Sequence, residues 1–211
     1  MERDAFIRIV RRAEYQAMPW RNGRGTTHEI VREPARSASF IWRLSLADVP
    51  ESGPFSAFPG YERIVVLVSG AGFSLDFGEH GRAELTPGAR VARFSGDWQT
   101  LCTLRGEPCT DLSLMARRAD ALASVRLLEL TVEGAHEFER DATGAFFCIC
   151  GAVGLSAGNH NLALAERDTA LIAPRGERRW LLKPKGDVSV VACLGALPRA
   201  QEPSGASGIT S

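Results

Sequence analysis

The densest cluster of residues able to do chemistry is Met18-Pro19-Trp20-Arg21-Asn22-Gly23-Arg24-Gly25-Thr26-Thr27-His28-Glu29-Ile30, where glycine-rich backbone runs into strand-like alternation. Gly23 and Gly25 permit positive φ or a close backbone approach to a ligand. Trp20, Arg21, Asn22, Thr26 and Glu29 supply flat, cationic and hydrogen-bonding surface. The same composition also fits a tight turn opening a hairpin, because Asn-Gly is a hairpin signal. Further along, Arg43 and Arg63 carry guanidinium forks that can grip a carboxylate in paired hydrogen bonds. Each fits equally well a structural pair or a solvated position, Arg63 standing next to Glu62.

Other chemistries find less support. Asp97 and Asp111 lie near predicted strand ends, and either would serve as a general base if burial raised its pKa. The simpler reading is a turn aspartate bonded to nearby backbone. Ser45, Ser56 and Ser113 sit in no nucleophile elbow and beside no patterned histidine, so serine hydrolase chemistry is not indicated. The four histidines, His28, His80, His136 and His160, form no HxH, HxxH or HxxxH group, and no metal or other cofactor is expected. Gly70-x-Gly72 falls between strands and reads as a turn, not a phosphate loop. The five cysteines, Cys102, Cys109, Cys148, Cys150 and Cys193, are odd in number and lack CxxC spacing, which suits small core residues. Cys148 and Cys150 would share one face of a strand.

The elements that must position these groups are short strands. Period-two alternation broken by Gly and Pro dominates, with Phe73, Leu75 and Phe77 on one face and Ser74 and Asp76 on the other. Tyr61 to Val68 and Ala145 to Ile149 are more continuously apolar, as in strands covered on both sides. Only Ala116 to Ala123 reads as helical, and it marks a linker. The 211 residues carry 25 basic and 25 acidic side chains, a balance that argues against nucleic acid as a partner. The start contains no signal-peptide core, and no uncharged run is long enough to cross a bilayer, so the expectation is a cytoplasmic protein without membrane association. From Pro198 onward the Pro, Gly and Ser content predicts a disordered tail.

The two halves share a pattern of strand, Gly or Pro turn, and strand. LTPGARVARFSGDWQTLCTL in the first corresponds to LALAERDTALIAPRGERRWLLK in the second, and Phe94 and Ala173 before the turns stand 79 positions apart. Trp98 and Trp180 follow the matched turns and are expected to plug the two barrels symmetrically. Pro174-x-Gly176-x-x-Arg179 resembles the second cupin motif, with arginine where metal-binding cupins place a histidine ligand. A guanidinium offers no lone pair to a metal, which counts against a metal-dependent cupin dioxygenase.

The segment around Trp20 is very similar to the PWKNGGGxTxEI signature of the HutD/Ves family. The resemblance continues through Phe40 to Ala47, Ser52 to Arg63 (including Phe58), Leu67 to Gly70, Phe94 to Asp97 and Asp111 to Arg118. Specific motifs thus span about residues 15 to 118. Arg24 replaces a glycine of the family's GGG run, and Ser113 stands where asparagine is usual. The resemblance implies an all-β fold of two tandem double-stranded β-helix barrels, a bicupin. The expected units are an N-terminal barrel with the ligand pocket over residues 1–118, a C-terminal barrel over 119–197 and a tail over 198–211. It further implies a sensor or regulator of bacterial histidine utilisation that binds a small anion such as N-formyl- or formimino-glutamate, with no catalytic residue assigned. Trp20, Arg21, Asn22, Gly23, Thr26, Glu29, Arg43, Ser45, Phe58 and Arg63 are the expected ligand-binding residues. Within that set, Arg21, Arg43 and Arg63 suit carboxylates, Asn22 and Thr26 a formyl or amide oxygen, and Glu29 a formimino nitrogen. A metal-independent isomerase or hydrolase acting on a small carboxylate is the alternative. Fold analogy suggests a homodimer.

Overall fold

The computed structural model describes residues 7–20, 25–35 and 39–199. Their regular structure is antiparallel β throughout, interrupted only by the short 3-10 turns Arg12–Glu14 and Gly78–His80. A six-stranded sheet runs in the order Gln16–Pro19, Thr26–Glu33, Trp42–Val49, Cys109–Arg117, Tyr61–Ser69, Val91–Ser95. The four-stranded sheet associated with it is ordered Gly53–Phe55, Thr100–Leu104, Phe73–Asp76, Arg82–Leu85. In the second half a five-stranded sheet, Ile7–Val10, Thr169–Ile172, Thr143–Cys150, Ser189–Pro198, Ala121–Leu130, accompanies a four-stranded one, Gly134–Glu137, Arg179–Pro184, Val153–Ala157, His160–Leu164. The eight strands from Trp42 to Arg117 and the eight from Ala121 to Pro198 pair in the same order. Cys109–Arg117 lies between Trp42–Val49 and Tyr61–Ser69 as Ser189–Pro198 lies between Ala121–Leu130 and Thr143–Cys150.

Three apolar cores follow. Leu44, Leu46, Ile64, Val66, Leu112 and Leu114 of the six-stranded sheet meet Ala145, Phe147, Ile149, Ala192 and Leu194 of the five-stranded sheet, so the two large sheets pack back to back. Val65, Leu67, Phe73, Leu75 and Cys102 fill one outer core, and Phe146, Cys148, Leu155, Trp180 and Leu182 fill the other. Central strands therefore bury both faces, which is why Ile64 to Leu67 read as an unbroken apolar run.

Several sequence expectations are corrected. Ala116 to Ala123 is not helical: one strand ends at Arg117, a turn closes through the Asp120 N–H to the Arg117 carbonyl at 2.9 Å, and the next strand begins at Ala121. There Ala121 and Ala123 are buried while Leu122 and Ser124 are exposed, a period of two in which small residues fit the close central interface. The first described strand does not join the sheets of the first half either. Ile7–Val10 adds to the edge of the second half's sheet, pairing with Thr169–Ile172. At the other end Pro198 is still in a strand, opposite Ala121, and the rest of the expected tail from residue 200 lies outside the described residues. Cys148 and Cys150 do not share a face. The register shifts between them, and this bulge turns Cys148 into the outer core while Cys150 packs against the central one.

Candidate functional site

One strand organises the site. Alternate residues of Cys109–Arg117 point opposite ways, so Leu112, Leu114 and Ala116 enter the central core while Asp111, Ser113 and Met115 line a cavity of about 710 Å³. Register carries the same face onto the neighbours. Ala47, Ser45 and Arg43 stand opposite Asp111, Ser113 and Met115, and Arg63 flanks Met115 from the other side. Thr27, opposite Ala47, continues the face, and Trp20, Pro54, Phe55, Ser56 and Phe58 form the walls.

The polar groups in this cavity are poorly satisfied. Arg63 is buried, donates from Nη1 to the Ser56 carbonyl at 3.0 Å and leaves Nε without a partner. Its guanidinium lies 5.3 Å from the Phe55 ring centre, 5.5 Å from Phe58 and 5.0 Å from Phe94. Burial draws its pKa down to about 10, the charge of Asp111 opposing that shift. Arg43 lies over Phe40 and Phe58 at 5.0 and 5.4 Å, donates from Nη2 to the Met115 sulfur at 3.6 Å, and among the described residues also leaves Nε unpartnered. Asp111 is 2% exposed, and burial pushes its carboxyl up to about 7 against the pull of Arg63. Asp111 Oδ2 and Ser113 Oγ complete a set of buried atoms lacking a hydrogen-bond partner. Cationic donors inside aromatic walls are suited to holding a small anion in paired, charge-assisted hydrogen bonds.

Of the ligand residues expected from sequence, Trp20, Arg43, Ser45, Phe58 and Arg63 line this cavity. Thr26 and Glu29 do not. Thr26 is one residue out of phase, and Thr27 takes the wall position, its Oγ1 accepting from the Trp20 indole at 2.9 Å. Glu29 is gripped by Arg32, whose Nε and Nη2 donate to it at 2.6 to 2.9 Å. Arg21, Asn22, Gly23 and Arg24 lie outside the described residues. Gly25 shows the close approach expected of a glycine here: a Cβ would stand 2.8 Å from the Trp20 ring and from the Asp48 carbonyl. Asp97 is the turn aspartate, accepting from the Gly60 N–H at 2.7 Å and the Ser95 hydroxyl at 2.7 Å and pairing with Arg118. Asp111, Ser113, Met115 and Ser56 are among the wall residues that were not expected to bind the ligand. The alternation of Asp111, Ser113 and Met115 with Leu112 and Leu114 was the available signal.

In the second half the described residues fill the corresponding interior. Trp180 is fully buried there with Phe146 at 5.9 Å, and Phe138 packs where a side chain at Gly144 would stand. The expected symmetry of the two tryptophans does not hold, for Trp98 is half-buried and stacks on His80 at 4.6 Å. Arg179 is exposed at the start of its strand. Among the described residues no three His, Cys, Asp or Glu side chains are grouped to hold a metal. The polar groups of the described cavity residues, two guanidiniums, hydroxyls, two thioethers and one carboxyl, do not fit a divalent cation either. No helix among them is long and apolar enough to cross a membrane.

Comparison with known proteins agrees with this architecture. The chain is 40% identical over 110 residues to an uncharacterised 21.2 kDa protein in the hutC 3′ region of Pseudomonas putida, covering 52% of this chain and 57% of the relative. It is 36% identical over 113 residues to protein Ves of Citrobacter koseri, 53% of this chain and 59% of that one. These matches thus span less than two thirds of the length of those relatives. The solved structure of HutD from Pseudomonas fluorescens SBW25, determined in a formate condition, superposes with a TM-score of 0.77 at 27% identity, covering 92% of this chain and all of that one. A conserved protein of unknown function from Pseudomonas aeruginosa PAO1 gives 0.81 at 30% identity, with 90% and 98% covered. Oxalate decarboxylase from Lactobacillus farciminis, at 7% identity and a TM-score of 0.65 over 90% and 86% of the two chains, shares the cupin-like fold alone. The HutD family model matches residues 12–190, most of the chain, and the protein belongs to the HutD family.

Proposed function

We propose that this protein is a bicupin whose first barrel binds a small anionic molecule, and that it acts as a cytoplasmic sensor or regulator in histidine utilisation. The observation that carries the reading is the pair of arginines, Arg43 and Arg63, held in one cavity with both Nε atoms unpartnered. A buried guanidinium without an acceptor is costly, and a carboxylate supplies two acceptors in matching geometry. Kinship with a protein of the hutC 3′ region supports an intermediate of that breakdown, N-formyl- or formimino-glutamate, as the ligand. A homodimer is part of the proposal by analogy with the fold.

The test is thermal unfolding with N-formyl-L-glutamate, N-formimino-L-glutamate, urocanate, L-glutamate and formate at millimolar concentration. A ligand at 100 times its Kd adds about 2.7 kcal/mol, several degrees in a protein of this size. The shift should vanish in Arg63→Met. No shift with any of these anions overturns the reading.

A second reading has its own observation: Asp111 is a buried carboxyl near neutral pKa in the same cavity, the state required of a general base. A metal-independent isomerase or hydrolase would then show turnover of the bound anion, abolished in Asp111→Asn.

A further inference from the structure

The three ionisable groups that line the cavity among the described residues are separated by sign along the sheet. Arg43 and Arg63 are both register partners of Met115, whereas Asp111 pairs with Ala47 and Leu67. Four residues along one strand at about 3.3 Å each place roughly 13 Å between those Cα positions. The cationic side chains therefore rise from one end and the carboxyl from the other, with Ser45 and Ser113 opposite each other between them.

These groups do not satisfy one another. Nε of Arg43, Nε of Arg63, Oδ2 of Asp111 and Oγ of Ser113 are all buried without a partner among the described residues. The charged groups acting on Asp111 are Arg63 from Tyr61–Ser69 and Asp48 from Trp42–Val49, the latter held by His28 at 2.9 Å and Thr110 at 3.3 Å. Burial pushes the Cys102 thiol up to about 12, and the charge of Asp111 adds to that shift.

We propose that the cavity selects a dicarboxylate that also carries a protonated nitrogen, Arg43 and Arg63 taking the carboxylates and the Asp111 carboxylate accepting from the cationic N–H. This rests on the anion-binding reading above and narrows it. Among the described residues two cations and one anion line the cavity and are matched by two anions and one cation; Arg63 and Asp111 are buried, and an uncompensated buried charge is strongly unfavourable. A dianion with a neutral nitrogen brings like charge toward Asp111 and offers it only a neutral donor, about half as strong as a charged one. Proton exchange separates the two cases. With its carboxyl near pH 7, Asp111 is roughly half protonated in the free protein. A cationic nitrogen drives that proton off, and a dianion draws one on.

The experiment is titration calorimetry of the full chain at pH 7 in two buffers of different ionisation enthalpy. L-Glutamate and N-formimino-L-glutamate carry the cation; N-formyl-L-glutamate and glutarate do not. Expected are tighter binding of the first two, by about tenfold for one charged pair, and proton release only with them. Asp111→Asn should erase both the preference and the release, with its fold checked by circular dichroism. Release from the unmodified protein tests the idea even if that variant misfolds. Equal or tighter binding of glutarate or N-formyl-L-glutamate with proton uptake, lost in Arg63→Met, overturns the selection for a cation and leaves anion binding standing. Binding of none of the four overturns both.

Discussion

Trp180 holds in the second half the register position that Thr100 holds in the first. Cys102 pairs with Leu75 and Leu182 pairs with Leu155 at corresponding places in the two four-stranded sheets, and Thr100 and Trp180 lie two residues earlier. A threonine leaves room where an indole fills it, and both side chains are buried.

Trp180→Ala should therefore cost about 3–5 kcal/mol, as expected for a large aromatic removed from a close-packed core. Urea unfolding would measure it. Anion binding by any surviving folded protein should be unchanged, since Trp180 does not line the cavity. A loss below about 1 kcal/mol would mean that the second core collapses readily around the gap.

Asp111 makes stability depend on pH in an unusual direction. Its carboxyl sits at about 7 in the folded protein against an ordinary 3.8, so the folded state keeps a proton that the unfolded chain has released. The stabilising contribution is complete below about pH 3.8 and is lost as pH rises to about 7. Asp111→Asn cannot lose that proton. Its melting temperature should exceed that of the parent at pH 8, and the difference should shrink toward pH 4.5. A variant less stable than the parent at pH 8 would show that the charged form is well accommodated.

Asp168 fastens the start of the chain to the second half. It is 5% exposed and accepts from Arg11 Nη1 at 2.6 Å, the Arg12 N–H at 3.1 Å and the Ala165 N–H at 3.1 Å. Arg11 is half exposed, which weakens the ion pair itself, so the two backbone donors carry most of the effect. Asp168→Ala should cost about 1–3 kcal/mol for the donors left unmade. Hydrogen exchange should locate the loss at Ile7–Val10 and Thr169–Ile172, with the cavity strands protected as before.

The strands and the cavity arginines were legible in the sequence because both rest on local pattern. Alternation marks a face, and Arg43, Ser45 and Arg63 lie on faces that register brings together. Where a bulge intervenes the pattern misleads: Cys148 and Cys150 keep their spacing of two but lose their common face. Thr26 and Thr27 illustrate a related limit, for two like residues in succession cannot say which one points inward. The pairing of Glu29 with Arg32 was not readable in the sequence because Arg32 lies across the shift in register between Glu29 and Val31. Asp111 was weighed as a turn residue, and only the folded arrangement, with strands on both sides of it, makes it a buried acid.

Phe58 is the wall most open to a selective test. It covers Arg43 at 5.4 Å and Arg63 at 5.5 Å, and its segment is pinned by the Phe58 N–H to the Gly96 carbonyl at 2.7 Å and the Gly96 N–H to the Tyr61 carbonyl at 2.8 Å. A Cβ at Gly96 would stand 2.4 Å from the Phe58 carbonyl oxygen, closer than atoms can approach, so Gly96→Ala must displace the Phe58 segment. Phe58→Ala keeps the backbone and removes only the ring, losing a cation–π contribution of about 0.5–2 kcal/mol and admitting water to both guanidiniums. Both variants should weaken anion binding, measured by calorimetry, and Gly96→Ala should do so more, because it moves the Ser56 carbonyl that holds Arg63 as well. If Phe58→Ala binds the anion as tightly as the parent, the ring is only a cover over the arginines, and their donors alone account for the affinity.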